Sequence, residues 1–275
     1  MAGPPRESAT GPRGEEGAAD MSVQAVEAHA SEKQEPLLSV RSLSKAFGRV
    51  QAVDGVSLDI YPQEIIGIVG DNGAGKSVFL QLLTGNHRAD AGEIIFKGQR
   101  VQVTSPKVSR RRLRIEMVYQ NLSLAPDLRV WENAFLGEER RRCGIFMDVR
   151  AMQEATGEAL GKLGAKVQPN DLFSDLSGGE QQVVAISRAI LFQRELIILD
   201  EPTAAISLNK VEEVLRTILD LKQHGKTVLL VSHRLEDIVR VSDRIVVFAH
   251  GRIKRVLRNE GIRVGDLIPI MFGND

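Results

Sequence analysis

The sequence predicts an α/β fold built on a mostly parallel sheet, and three observations carry that expectation. A continuous apolar strand, Glu64–Gly70, runs into a glycine-rich turn and then a helix. A second apolar run, Leu196–Leu199, ends in two carboxylates. From there to residue 248, strand-sized and helix-sized apolar patterns alternate, which is the order that builds a parallel sheet under covering helices.

The elements follow in order. Residues 1–35 are rich in Gly, Pro, Ala, Ser and Glu and poor in large apolar residues, so they cannot bury enough surface to offset their ordering entropy. They are expected to be a disordered tail, with Met21 a candidate start. Leu38, Val40 and Leu43, then Val53, Val56, Leu58 and Ile60, alternate or nearly alternate with polar residues and predict antiparallel strands, punctuated by Gly48, Gly55 and Pro62. Val78, Leu80, Leu82 and Leu83 predict a helix ending near Gly85. Strand signals return at Glu93–Phe96 and Ile115–Tyr119. The middle of the chain, about 120–190, reads as a helical insert with helices over 130–136, 149–163 and 178–192. Beyond the strand at Leu196, a helix is expected over Leu208–Leu221, a strand over Val228–Val231, a helix over Leu235–Val241 and a strand over Ile245–Phe248. The domain is therefore expected to span 36–275.

Composition narrows the function. Thirty-six basic and 36 acidic residues leave no net charge, which argues against binding nucleic acid by bulk electrostatics. One cysteine, Cys143, excludes an intrachain disulfide and fits a reducing compartment. No apolar run approaches the roughly 20 residues of a membrane-spanning helix, and the N-terminal MAGPPRESAT has neither the basic nor the apolar stretch of a signal peptide. A soluble, cytoplasmic chain is expected, linked to a membrane only through a partner.

Three motifs carry chemistry. Gly70-Asp71-Asn72-Gly73-Ala74-Gly75-Lys76-Ser77 matches the phosphate-binding loop pattern in its required strand-to-helix context. Its glycines let successive N–H groups face phosphates. Lys76 reaches the β- and γ-phosphates, and Ser77 offers a hydroxyl to Mg²⁺. The carboxylates after Leu199 lie at a strand end, which in a parallel sheet is the ligand face. Asp200 there suits Mg²⁺, and Glu201 suits the polarisation of attacking water. Leu176-Ser177-Gly178-Gly179-Glu180-Gln181 opens a helix carrying Val183, Val184, Ile186 and Ile190. Ser177 and Glu180 fit a capping box. The two glycines weaken a helix start unless something approaches closely, so the turn also reads as a second anion-binding helix end without a lysine.

Taken together, GDNGAGKS, Gln120, LSGGEQ, LIILDEP and His233 resemble, in order and rough spacing, the ATPases of ABC transporters over residues 37–273. The resemblance implies a P-loop NTPase with a RecA-like parallel core, an antiparallel β subdomain and an α-helical insert. It implies ATP and Mg²⁺ as ligands and assigns roles residue by residue. Phe47 stacks on adenine. Gly70–Ser77 and Val78 line the phosphates. Gln120 contacts Mg²⁺ or water and responds to a membrane subunit. Asp200 and Ser77 hold Mg²⁺, Glu201 is the general base and His233 the γ-phosphate switch. Ser177, Gly178, Gly179 and Glu180 meet the γ-phosphate bound by a second subunit. Ser207 stands where many members carry aspartate, which leaves a hydroxyl without charge for coupling across the dimer.

Val118–Gly137, EPTAAIS and LIPIMFGND are similar to monosaccharide importers of the ribose and fructose type, most of all the single-cassette fructose group. The implied partners are a second copy, integral membrane permease subunits and, indirectly, a sugar-binding protein, with the chain peripheral on the inner face of the membrane and no nucleic acid. The residues around Pro126–Phe135 are the expected permease-docking groove. The runs RRRLR (110–114) and EERRR (138–142) are expected as solvated surface on the helical insert, with proximity to lipid headgroups or a membrane subunit the other reading. A soluble ABC ATPase acting on ribosomes or DNA, and a non-catalytic binding module, are the competing functions. The first usually brings a second cassette, a coiled coil or a basic extension; the second conflicts with intact Lys76, Asp200, Glu201 and His233.

Overall fold

The computed structural model describes residues 34–119, 124–142, 145–204 and 206–273. Nearly all of the expected tail, as well as Gln120 and Cys143, lies outside the described residues. The order is β1 (Leu38–Phe47), β2 (Val50–Ile60), β3 (Ile65–Gly70), α1 (Lys76–Thr84), β4 (Ala91–Phe96), β5 (Gln99–Val101), α2 (Pro106–Arg112), β6 (Ile115–Val118), α3 (Val130–Phe135), β7 (Arg141–Arg142), β8 (Phe146–Met147), α4 (Val149–Lys162), α5 (Gly178–Leu191), β9 (Leu196–Asp200), α6 (Leu208–Gln223), β10 (Thr227–Val231), α7 (Leu235–Val241), β11 (Arg244–Ala249), β12 (Arg252–Arg258) and α8 (Val264–Phe272).

One sheet runs β2-β1-β4-β5 and is antiparallel. The other runs β12-β11-β3-β10-β9-β6. Its strands β11, β3, β10, β9 and β6 are parallel, with β12 antiparallel at one edge. Every residue of β3 and β10 is buried, which explains why both read as unbroken apolar runs. Side chains alternate across this sheet. Ile65, Ile197, Leu199, Val228, Leu230 and Val247 face the core that includes α4 to α8. Ile66, Ile68, Ile198, Leu229, Val231 and Phe248 face α1 and the antiparallel sheet. Each such side chain, fully buried, contributes about 1.5–3 kcal/mol.

The helical insert contains a small core of Trp131, Ala134, Phe135 and Met152. It is not purely helical, because the two-residue strands β7 and β8 form a hairpin between α3 and α4. Several elements escape sequence pattern. α2 begins at Ser105, whose hydroxyl accepts from Val108 N–H, with Pro106 at the first turn, but its KVSRRR body shows no apolar period. β5, β7 and β8 are too short to alternate, β12 is a half-exposed edge strand, and α8 carries an internal Pro269.

The charge runs fall differently from expectation. Arg110–Arg112 belong to α2, which packs against α1 and β6, ahead of the helical insert. Arg111, Arg112, Arg141 and Arg142 are exposed as expected. Glu138 is not simply solvated, because it pairs with the buried Arg194.

Candidate functional site

Strand register assembles the site. Val231 pairs with Asp200 on one side and Ile68 on the other, and Phe248 pairs with Gly70. The C-terminal ends of four parallel strands therefore meet, and each hands its chain to a loop on the same edge.

The Gly70–Ser77 loop is wedged between two backbones. Gly70 has φ 151° and a Cβ there would lie 2.3 Å from the Phe248 carbonyl oxygen. Gly75 has φ 98° and a Cβ would lie 2.2 Å from the Ala52 carbonyl oxygen. Neither position admits a side chain. Gly251 N–H donates to the Ala74 carbonyl at 2.9 Å, which ties the loop to the β11–β12 turn. Lys76 Nζ donates to the carbonyls of Gly70 (2.7 Å) and Asp71 (2.9 Å). Burial lowers its pKa, against the attraction of Glu201, Asp71 and Asp200. Asp71, Asn72, Gly73 and Ser77 are exposed, and Val78 is half-buried behind them.

The two carboxylates sit across from Lys76. Asp200 ends β9, and burial raises its pKa while Lys76 and His233 lower it. Glu201 follows with φ 54°, a left-handed backbone that costs a non-glycine residue about 1–2 kcal/mol. Its N–H donates to the Val231 carbonyl at 2.9 Å, and its Oε2 accepts from His233 N–H at 3.2 Å. Oε1 is buried without an aligned donor, although His233 Nε2 lies only 3.2 Å away. Burial is the main reason the Glu201 carboxyl titrates above its ordinary range; the His233 N–H and charge pull it down, and Asp200 pushes it further up. A buried oxygen with a free lone pair and an elevated pKa is fitted to accept a proton from water.

Sequence reasoning missed the group that ties these loops together. Asp237 on α7 is buried, and its Oδ2 accepts from Thr203 Oγ1 at 2.8 Å and lies 3.3 Å from Arg234 Nε. It joins the segment after Glu201 to the segment after His233. Its spacing of four residues from His233 was the signal available, and alone it does not separate a clamp from a surface acid.

Two expected contributors stand apart from Lys76. Ser177 precedes α5, and both its N–H (2.8 Å) and its Oγ (2.5 Å) donate to Glu180 Oε2. Those bonds lower the Glu180 pKa. Gly178 is exposed, while Gly179 lies against the side chain of Lys210, where an added Cβ would come within 3.3 Å of Lys210 Cβ. No hydrogen bond or ion pair among the described residues joins this turn to Lys76. Phe47 ends β1, is 42% exposed, and has its ring edge-on to His87 at 5.0 Å. Lys45 Nζ lies 5.4 Å from its centroid. Ser207 immediately precedes α6 and is exposed.

A second feature lies behind β6. A cleft of about 220 Å³ is lined by Thr84, Glu116, Tyr119, Leu124, Leu136 and Arg188, among others. Its lining includes Leu124 and Leu136, which flank in sequence the Pro126–Phe135 stretch expected for permease docking. Its floor is a buried ion cluster. Glu116 lies 2.8 Å from Arg194 Nε and 3.6 Å from Arg188 Nε. Arg188 also donates to the carbonyls of Asn133 (2.8 Å), Ala134 (2.9 Å) and Leu136 (3.2 Å) at the end of α3. The cluster fixes α5, which carries the Ser177 turn, to α3 and to β6.

The ABC transporter family matches residues 53–204. The chain is 42% identical, over 88% of its length, to a ribose import ATP-binding protein of Rubrobacter xylanophilus, of which the match covers 48%. It thus spans about half the length of the ribose-import relatives it matches. It is 39% identical to a fructose import ATP-binding protein of Rhizobium meliloti, over 87% of this chain and 95% of that one. A xylose/arabinose import ATP-binding protein of Sulfolobus acidocaldarius is 38% identical, over 86% of this chain and 93% of that one. Among solved structures, a nucleotide-free ATP-binding cassette from an ABC transporter superposes with TM-score 0.75 at 25% identity, covering 86% of this chain and 95% of that one. A dimeric cassette in a post-hydrolysis state, bound to ADP and Pi, gives TM-score 0.68 at 25% identity, covering 82% of this chain and all of that one.

Proposed function

The chain belongs to the ABC transporter family of ATP-binding proteins, and on that premise we propose that it is the ATP-hydrolysing subunit of an importer for a monosaccharide of the ribose, fructose or xylose class. The observation that carries the catalytic part is the meeting of Lys76, Asp200, Glu201 and His233 at one sheet edge, with Glu201 Oε1 buried 3.2 Å from His233 Nε2. The sugar class rests on the named activities of the relatives.

In this reading the adenine lies on Phe47 and the triphosphate lies in the loop from Gly70 to Ser77 and Val78. Lys76 exchanges its two carbonyl acceptors for phosphate oxygens. The donor set fits Mg²⁺: one exposed hydroxyl, Ser77, and one carboxylate, Asp200, at the end of β9. Ser77 and Asp200 would hold Mg²⁺, a hard cation that takes oxygen ligands and needs few from the protein. When bound, Mg²⁺ neutralises charge on the transferring phosphoryl group. Glu201 takes the proton of the attacking water. His233 donates toward the γ-phosphate and holds Glu201 through its own backbone N–H. Asp237 keeps the two segments in register. Catalysis here is positioning and charge stabilisation.

One chain does not close the site. Ser177, Gly178, Gly179 and Glu180 share no hydrogen bond or ion pair with Lys76 among the described residues, and in this reading a second copy brings its turn to the γ-phosphate. Dimeric cassettes among the structural relatives support this. In the free chain the Ser177 hydroxyl hydrogen is held by Glu180 Oε2, so binding a phosphate oxygen requires that hydrogen to turn from Glu180 to the phosphate. Gln120, outside the described residues, is assigned to the link between Mg²⁺ and the permease. The cleft over Glu116 and Arg188 is the docking place for a permease segment, and the chain sits on the inner membrane face through that contact. No described helix is long and apolar enough to cross a membrane.

The test is reconstitution of the full chain with the permease and sugar-binding protein encoded beside it. ATP hydrolysis should rise when the binding protein is loaded with one monosaccharide. Glu201→Gln should abolish turnover and accumulate as a dimer in Mg-ATP. Hydrolysis indifferent to every loaded sugar would remove the importer reading, and a Glu201→Gln protein that turns over normally would remove the catalytic one.

A further inference from the structure

The hairpin β7–β8 carries an exposed apolar edge that no described part of the fold covers. Ile145 is 76% exposed, Phe146 72% and Met147 55%. Leu136 and Val149 at its base are also exposed. Folded chains leave single apolar residues in water routinely, but a contiguous exposed group marks a contact surface. The shoulders of the ribbon are cationic. Arg141 pairs across the hairpin with Met147, and Arg142 with Phe146, so each face presents one guanidinium beside one apolar side chain. Arg140 lies over the Phe135 ring at 5.3 Å.

The nearby carboxylates are already engaged. Glu138 pairs with Arg194, Glu139 accepts from Gly137 N–H at 2.8 Å, Asp148 accepts from Ala151 N–H at 3.2 Å, and Glu154 pairs with Arg150 at 2.8 Å. Arg142 has no ion-pair partner among the described residues, and Arg141 interacts only at longer range with Glu139. Ile145, Phe146 and Met147 are three residues, far short of the roughly 20–30 residues a side of a stable protein interface. Apolar tips between arginines suit the boundary between headgroups and acyl chains.

We propose that this hairpin is a membrane-surface contact, with Ile145, Phe146 and Met147 entering the interface of an anionic bilayer and Arg141 and Arg142 meeting lipid phosphates. Leu136 lines the cleft assigned to the permease and precedes the hairpin in sequence. The hairpin contact needs no permease, and its failure leaves the transport reading intact.

The test uses the full chain alone, sedimented with vesicles of phosphatidylcholine, or of phosphatidylcholine with phosphatidylglycerol at about one part in three. Binding is expected to the anionic vesicles and not to the neutral ones, and to fall with added salt. Arg141→Gln with Arg142→Gln should weaken it about fivefold per arginine. Ile145→Ser with Phe146→Ser should weaken it at least about tenfold. Basal ATP hydrolysis should be unchanged in both variants, which shows that they fold. Equal retention on neutral and anionic vesicles, retention insensitive to both variants, or capture only by vesicles containing a permease would overturn the proposal; the last would make the hairpin a protein contact.

Discussion

Glu116→Gln removes one charge from the centre of a buried cluster while keeping the side-chain shape. Glu116, Arg188 and Arg194 are all buried, and the carboxylate faces both guanidinium groups, at 3.6 and 2.8 Å. Breaking a buried ion pair by removing one partner costs about 3–5 kcal/mol, because the remaining charge is stranded. The structure places this case at the lower end. Arg188 keeps three carbonyl acceptors, and Arg194 keeps Glu138 and the Arg110 carbonyl. A loss of about 3 kcal/mol corresponds to a fall in melting temperature of roughly 6–12 °C for a body of this size. Urea unfolding with an unchanged slope, together with calorimetry, measures it. A loss below about 1 kcal/mol would mean that the guanidinium groups are satisfied by carbonyls and solvent alone, and that the carboxylate does not hold the cluster. The same variant should loosen α5 relative to β6, so permease-stimulated hydrolysis should fall more than basal hydrolysis.

Asp237→Asn should lower kcat about tenfold or more while leaving KM for ATP nearly unchanged, since it weakens a charge-assisted clamp and touches no phosphate; steady-state kinetics of the purified chain decide this. Gly75→Ala combines a left-handed backbone with a Cβ 2.2 Å from the Ala52 carbonyl, so nucleotide affinity measured with a fluorescent ATP analogue should drop at least about tenfold. Glu180 has a pKa held below the usual carboxylate range by the Ser177 hydroxyl and N–H. Its contribution to stability is therefore complete above the unfolded carboxylate pKa and disappears as pH falls through the depressed folded value. Glu180→Gln should lower stability near neutrality and change nothing at strongly acidic pH, as unfolding curves across that range would record.

The alternation of buried strands and helices after residue 190 was legible because β3, β9 and β10 are buried on both faces and their residues are correspondingly apolar. The loop at Gly70–Ser77, the Asp200-Glu201 pair and the Ser177 turn were legible because each consists of particular residue types at fixed local spacing. These are properties of consecutive residues, and a linear chain displays them directly.

What joins distant residues was not legible. Asp237 and Thr203 are 34 positions apart, and Glu116 and Arg194 are 78. Nothing in the local pattern around any of them predicts the pairing, because register across β3, β9, β10 and β6 decides which loop ends meet. Glu201 adopts a backbone at φ 54° that composition does not announce. Glu138 reads as one more surface charge until the fold brings Arg194 beneath it. The local chemistry of a phosphate site is written in neighbouring residues; the partners that orient and bury it are chosen by the sheet, because only chain-distant contacts exclude water from both ends of an ion pair at once.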